Sequence, residues 1–248
     1  MSKHFIILFV FLAGLLFAIF GLHNYLLAFG ILFLYLTVLF FGVYVFQLNY
    51  FFPAQHHINP AKKAVVLTFD DGPQPPHTEK VLAILKEKKV QAIFFFIGKN
   101  VAAAPEMVQK TQQDGHKIGH HSYSHSKLFP TFSTKHVTEE ILQGAEAVAK
   151  IANAESRLFR PPFGLTNPNI ARAIKRCNVV PIGWSLRSYD TMIDSKEKLV
   201  NRVLSRVKAG DIILLHDWGK HTAEALPEII DGIRAKDLEF TVELTTKN

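Results

Sequence analysis

Up to Leu48 this chain carries one charged side chain, Lys3, and its first acidic residue is Asp70. Within that span Phe5–Leu22 (FIILFVFLAGLLFAIFGL) and Tyr25–Phe46 (YLLAFGILFLYLTVLFFGVYVF) are apolar throughout. Each is close to the ~20 residues that an α-helix needs to cross the hydrocarbon layer of a bilayer. Gly21, His23 and Asn24 separate them as turn residues, so residues 1–48 read as a transmembrane helical hairpin, with helices at about 5–22 and 25–46. A cleaved signal peptide is the alternative, but one lysine is a minimal basic start and no small-x-small site precedes the second stretch. A hairpin returns the chain to the side on which it began. Lys3, Lys62 and Lys63 lie on that side and the turn carries no Lys or Arg, which leans toward a cytoplasmic placement of everything that follows.

The remainder has ordinary soluble composition and amounts to one domain, long enough to bury a sizeable core. Residues 49–63, with Pro53 and Pro60, read as a linker to a domain spanning 64–248. The net charge of +7 falls almost entirely on this part. A basic balance suits nucleic acid or anionic lipid. The cations are scattered along helical patterns without an aromatic-rich basic stripe, so no nucleic-acid partner is expected. A domain beside an anionic membrane accounts for the excess equally well. The single cysteine, Cys177, excludes an intrachain disulfide and reads as a buried structural thiol, since nothing nearby would lower its pKa.

Beyond residue 63, apolar runs of strand length alternate with runs of helical period. Strands are expected at Ala64–Phe69, Val90–Ile97, Lys117–His120, Arg157–Arg160, Val179–Trp184, Asp211–Leu215 and Glu239–Leu244. Helices are expected at His77–Lys88, Val101–Asp114, Thr134–Ala152, Pro168–Cys177, Lys196–Lys208 and Ala223–Lys236. Strict alternation argues for an α/β fold with a mainly parallel sheet. Seven strands and six helices fit a closed or nearly closed barrel better than a doubly wound sheet, and no glycine-rich phosphate loop follows any strand. In such a barrel the chemistry collects at the C-terminal strand ends, which is where the polar residues of this chain cluster.

Asp70 and Asp71, in TFDDGP, leave the first strand pointing in different directions, so one can hold a metal while the other stays free as a base; an Asx-turn pair is the plainer reading. His121 and His125, in HSYSH, stand four residues apart, the spacing of one face of a helical turn. Two imidazoles and a carboxylate make a common catalytic zinc set with positions left for water and substrate, although His116 and His120 nearby dilute the signal. Arg160 opens the rigid loop RPPFG, where it would pair with a carboxylate and keep it ionised. Pro161 and Pro162 stiffen that loop so that the backbone N–H of Phe163 can be aimed at an oxyanion. His216 ends the apolar strand IILLHD as a general acid or base, or as a satisfied core histidine.

TFDDG, HSYSH, RPPFG, GWSLRSYD and LLHD, in this order and at these separations, resemble the five motifs of the polysaccharide deacetylase family, the NodB-homology group or carbohydrate esterase family 4. The resemblance covers roughly Ala64 to Leu244. It implies a distorted (β/α)7 barrel. It also implies a divalent metal, zinc above others, on Asp71, His121 and His125, with Asp70 as base, Arg160 as its partner and His216 as acid. Two departures stand out. Phe163 replaces the tyrosine often found there, which costs little if the backbone N–H does the work. In the fourth motif, aligned on Asp190, Arg187 stands where the family has the aspartate that keeps the histidine pKa high, and an arginine there would push it down. Asp190 or Asp217 is the candidate substitute. Thr191 takes the place of a tryptophan of the acetyl pocket, leaving Trp184, Trp218 or Leu214 to supply that wall.

The expected activity is removal of N-acetyl groups from N-acetylhexosamine glycans or lipid-linked sugars, with the bilayer as partner and the bacterial plasma membrane as the setting. Hydrolysis of a non-sugar amide on the same fold, or a catalytically silent glycan-binding module, are the competing readings.

Overall fold

The computed structural model describes residues 3–244; the last four residues of the expected domain, 245–248, lie outside it. Helix α1 (Lys3–Leu16) continues through a wider turn over Phe17–Gly21, and α2 (Tyr25–Tyr44) follows, its N-terminus capped by Asn24, whose Oδ1 accepts from the Leu27 N–H at 3.0 Å. Lys3–Gly21 and Tyr25–Tyr44 are long and apolar enough to cross a membrane. Phe9, Phe20, Leu26 and Phe33 stand exposed along them.

The domain carries eight strands among the described residues: β1 (Ala64–Asp70), β2 (Ile93–Phe96), β3 (Lys117–His120), β4 (Leu158–Phe159), β5 (Val180–Pro181), β6 (Leu186–Arg187), β7 (Ile212–His216) and β8 (Glu239–Phe240). They form one parallel sheet in the order β5-β4-β3-β2-β1-β7-β6, with β8 beside the first residues of β1. Seven strands make the wall, but not the seven expected. Leu186–Arg187, which falls in none of the expected strands, is a wall strand, and the expected seventh strand is the short β8 off the main path. Two residues are too few for an alternation to register in the sequence.

β5 and β6 stand at opposite ends of this order, yet Pro181 and Leu186 are five positions apart. A chain reaches at most ~3.6 Å per residue, so the two edges must face each other and the sheet must curl into a barrel. Pro181 has no N–H for a further ladder and sits on an edge strand accordingly. Residues 49–63, expected as a linker, instead occupy this seam. The Gln55 N–H donates to Pro181 O at 3.0 Å, the Gly183 N–H donates to Gln55 O at 2.8 Å, and the Ile58 N–H donates to Gly210 O at 2.8 Å. Tyr50, Phe51, Phe52 and Ile58 are buried. Their apolar side chains have somewhere to go, which a solvated linker would not offer them.

The helices are α3 (His77–Glu87), α4 (Gly98–Ala103), α5 (Pro105–Gln113), α6 (Thr134–Ala152), α7 (Pro168–Cys177), α8 (Lys196–Leu204) and α9 (Thr222–Arg234). The single helix expected over 101–114 is two, because the residue before Pro105 is pushed out of helical conformation; Ala104 has φ −140° and ψ 61°. Period-2 alternation sorts the wall residues. Val65, Leu67, Phe69, Phe94, Phe96, Ile213 and Leu215 face the helices, while Val66, Ile93, Phe95 and Ile212 fill the interior. By the same parity Thr68, Asp70, Leu214 and His216 point inward, which carries the site into the barrel mouth.

Candidate active site at the strand C-terminal rim

Asp70 and His216 are register partners on β1 and β7. They therefore stand side by side where the two strands end. Asp70 is buried, and its Oδ1 accepts from Arg160 Nη1 at 2.7 Å. Arg160 follows β4 and is completely buried. Each of its nitrogens donates: Nη1 also to Thr68 Oγ1 at 2.8 Å, Nη2 to Gly183 O at 2.9 Å and Nε to Ile182 O at 3.1 Å. The guanidinium lies over the Phe95 ring, 4.2 Å from its centroid. A buried cation with an acceptor at each of its three nitrogens is a fixed charge. It holds Asp70 in one orientation.

Asp71, the next residue, leaves the strand with φ +72° and so turns away from Asp70. Its backbone carbonyl accepts from Asn100 Nδ2 at 2.9 Å, and its Oδ2 accepts from the Trp218 indole N–H at 3.0 Å. Its Oδ1 is buried and has no hydrogen-bond donor, while His125 Nε2 lies 3.4 Å and His121 Nε2 3.6 Å away. Burial alone would raise the Asp71 pKa, but His121, His125, His216 and the Trp218 N–H together hold it below the ordinary carboxylate value.

The segment 121–125 is not the helical turn expected from its spacing. Ser122 and His125 have φ +63° and +50°, and the loop is held by Glu140 of α6, which accepts from the Tyr123 and Ser124 N–H groups at 3.2 and 2.8 Å. Short-range periodicity gave the right proximity for the wrong reason. His121 Nδ1 lies 2.6 Å from Arg160 O, which places its proton there and leaves Nε2 as a lone pair. Burial lowers the His125 pKa to about 4, so that ring is neutral at physiological pH.

Asp71, His121 and His125 offer three donor atoms within 4.8 Å of one another. An orphaned buried carboxylate oxygen facing two imidazole nitrogens, one of them with its tautomer fixed, fits a divalent cation well.

His216 Nδ1 lies 2.9 Å from Asp190 Oδ1, and its backbone N–H donates to Asp190 Oδ2 at 2.6 Å. Asp190 is in turn fixed by Ser188 and Thr222, whose hydroxyls donate to it at 2.9 and 2.8 Å. Burial works against charge on His216, but the hydrogen bond and charge of Asp190, with the charges of Asp70 and Asp71, outweigh it and push the pKa up to about 9. The downward push expected from Arg187 does not arise. Arg187 is exposed and its guanidinium lies 5.0 Å from the Tyr189 ring centroid, while Asp190 takes the partner position. Asp217, the other candidate partner, accepts a short hydrogen bond from Thr78 instead, and burial pushes its pKa up to about 7.

Phe163 has φ +62° in the loop after β4, with its ring exposed and 4.7 Å from that of His125. Pro162 is buried at its base. Gly164 has φ +65°, and a Cβ there would fall 2.3 Å from Trp184, so the loop closes on that indole only with glycine. Trp184 and Leu214 are buried together with Phe159, Leu214 two positions below His216 on the inward face. Trp218 is half-exposed at the mouth. Thr68, Asn100, Glu140, Ser188 and Thr222 were not anticipated. They act from neighbouring elements on the motif residues, and no local pattern marks them.

A family model described as polysaccharide deacetylase matches residues 57–182. The chain is 35% identical over 185 residues to a peptidoglycan-N-acetylglucosamine deacetylase of Bacillus cereus, covering 72% of this chain and 85% of that one. The chain belongs to the polysaccharide deacetylase family. A second member, the peptidoglycan-N-acetylmuramic acid deacetylase PdaC of Bacillus subtilis, is 33% identical over 178 residues, which is 72% of this chain but only 37% of the relative. The polysaccharide deacetylase fold is matched by the solved Bc1960 peptidoglycan N-acetylglucosamine deacetylase, with a TM-score of 0.72 at 30% identity over 76% of this chain and 89% of that one.

Proposed function

We propose that this chain is a membrane-anchored, metal-dependent hydrolase that removes acetyl groups from N-acetylhexosamine units. The observation that carries the reading is the pairing of Asp70, clamped by Arg160, with His216, clamped by Asp190, on adjacent strands bordering Asp71, His121 and His125. A carboxylate fixed by an arginine and an imidazole held protonated, side by side on adjacent strands, are the base and acid that amide hydrolysis requires. Similarity to enzymes named as peptidoglycan deacetylases supports the acetamido sugar as substrate.

When bound by Asp71, His121 and His125, a divalent cation, zinc being the one that best suits this donor set, would polarise the acetamide carbonyl and lower the pKa of water. Asp70 takes a proton from the attacking water, and Arg160 keeps its oxygens aimed throughout. The Phe163 N–H donates to the oxygen that gains charge as the carbonyl carbon becomes tetrahedral. His216, its Nδ1–H held by Asp190, hands the Nε2 proton to the sugar nitrogen as the C–N bond breaks. An amine departs poorly unless protonated, so the acid is as necessary as the base. The products are acetate and a free amino sugar.

Retention of the hairpin as an anchor is supported by the way its base is built into the domain. The Thr166 hydroxyl and N–H donate to Gly42 O and Val43 O, at 2.8 and 3.1 Å. Gln47 Nε2 donates to Trp184 O at 3.1 Å. Chelation is expected to stop acetate release and added zinc to restore it. Asp70→Asn is expected to abolish turnover while the protein still binds about one zinc per chain. Turnover that survives exhaustive chelation would falsify the mechanism.

A further inference from the structure

Outside the hairpin and its exit, exposed large apolar side chains are few, and they are not spread evenly. Leu128, Phe163, Tyr189, Met192 and Trp218 belong to the loops after β3, β4, β6 and β7, that is, to the rim around the site; only Leu142 on α6 lies elsewhere among the described residues. Met192 is 75% and Leu128 63% exposed, too open to be loosely packed core. Scattered single apolar residues need no explanation, but a ring of them does. Arg187 and Arg202 flank the same collar, stacked on the Tyr189 ring at 5.0 and 4.7 Å, with no carboxylate in salt-bridge distance among the described residues.

The collar is continuous with the hairpin. α2 ends on the loop that carries Phe163, through the bonds of Thr166 to Gly42 and Val43. Phe46 packs on Trp184, with ring centroids 5.8 Å apart, at the end of β5. The end of α2 therefore meets the domain at its catalytic end. Lys62 and Lys63 sit at the N-terminal end of β1, the far end of the barrel, with Lys62 paired to Glu243. Exposed apolar side chains together with unpaired cations, next to spanning helices, form a surface that an anionic bilayer attracts.

We propose that the rim rests on the bilayer surface and that the substrate is an acetamido sugar carried on a lipid of the same membrane, in preference to a free or polymeric glycan. This rests on the deacetylase reading above and specifies its substrate class. A hydrolase whose mouth is held at the lipid surface meets a membrane-bound sugar at the effective concentration of a two-dimensional reaction. A soluble glycan would have to enter between the collar and the headgroups.

The test uses the full chain reconstituted with zinc in phosphatidylglycerol/phosphatidylethanolamine vesicles, and measures acetate release. One substrate is an N-acetylglucosaminyl lipid in the same vesicles; the other is a soluble N-acetylglucosamine tetramer at equal sugar concentration. We expect the lipid to be turned over at least about tenfold faster, as confinement to one surface predicts. The double variant Leu128→Ser/Met192→Ser should lose that advantage and keep the wild-type rate on the tetramer, which also shows that it is folded. Equal or faster turnover of the tetramer by the wild type, or an equal loss on both substrates in the variant, overturns the proposal. Acetate from neither substrate overturns the deacetylase reading itself, and this proposal with it.

Discussion

Two ion pairs stand on neighbouring strands of this barrel and are built differently. Arg160 and Asp70 meet beneath the rim with side-chain exposures of 0% and 4%, and every guanidinium nitrogen has an acceptor. His216 and Asp190 meet at the mouth, where the imidazole is 16% exposed and its Nε2 faces the site, 4.0 Å from Asp71 Oδ2. The first pair cannot move without unfolding part of the interior. The second keeps one ring nitrogen free to exchange a proton. A proposed base needs only to stay charged and aimed, whereas a proposed acid must also give its proton up, and the packing reflects that difference.

Breaking the inner pair has the larger expected effect. Arg160→Met leaves Asp70 as an uncompensated buried charge, which costs about 3–5 kcal/mol. Denaturant unfolding should show a loss of that size together with loss of acetate release. Adding Asp70→Asn to that variant should recover much of the stability and none of the turnover. If the single variant were as stable as wild type, the interior would be wetter than its burial implies and the contrast between the pairs would fail.

Replacing the outer histidine should separate chemistry from stability. His216→Asn is expected to lower kcat by about 10²–10⁴, the usual contribution of a positioned acid. The unfolding midpoint should move far less than in Arg160→Met. Comparable losses of stability in the two variants would mean that His216 is a structural residue.

Asp190→Asn sharpens the comparison through pH. The folded pKa of His216 is about 9 against an ordinary value of 6.5, raised despite its burial. A raised pKa means that the pair's contribution to stability is fully present below 6.5 and is lost as pH climbs through about 9. The Asp190 pKa is depressed even though burial opposes it, so its own contribution is present above 3.8 and lost below. In chelated protein the difference in Tm between wild type and Asp190→Asn should therefore be greatest between these limits and close above about pH 9. In the zinc-loaded enzyme the alkaline fall in kcat/KM should move to lower pH in the variant. A limb that stays in place would remove Asp190 from the control of His216.

The sequence carried the motif residues and the alternation that points them inward, because both are local. Asp70, His121, Arg160 and His216 each sit within a residue of a strand end, with His125 four positions beyond His121, and apolar runs such as AVVLTFD and IILLHD announce those ends. What supports them was not legible. Glu140 reaches the 121–125 loop from within α6, and Thr222 reaches Asp190 from the first turn of α9, each across fifteen or more residues of intervening chain. Residues 49–63 were misjudged for a related reason. Their prolines look like linker chemistry, and nothing local says that the edges of β5 and β6 leave a seam for them to fill.

Trp218 gives the smallest effect and the finest distinction. Its indole N–H donates to Asp71 Oδ2 at 3.0 Å, and the ring is half-exposed, so water would replace part of the hydrogen bond in Trp218→Phe. Removing a partner of a metal-binding carboxylate typically weakens metal affinity by about 10–100-fold. Exposure places this case at the lower end, about tenfold. Competition titration with a chromogenic chelator measures it directly, with turnover at saturating zinc expected to stay within a factor of about three, since no reacting atom is touched. The contrast with Asn100 is informative. Asn100 holds the Asp71 backbone carbonyl and with it the left-handed turn at φ +72°, so Asn100→Ala should weaken zinc binding more than Trp218→Phe does. The reverse order would mean that the side-chain oxygen, and not the backbone turn, sets the geometry of the trio.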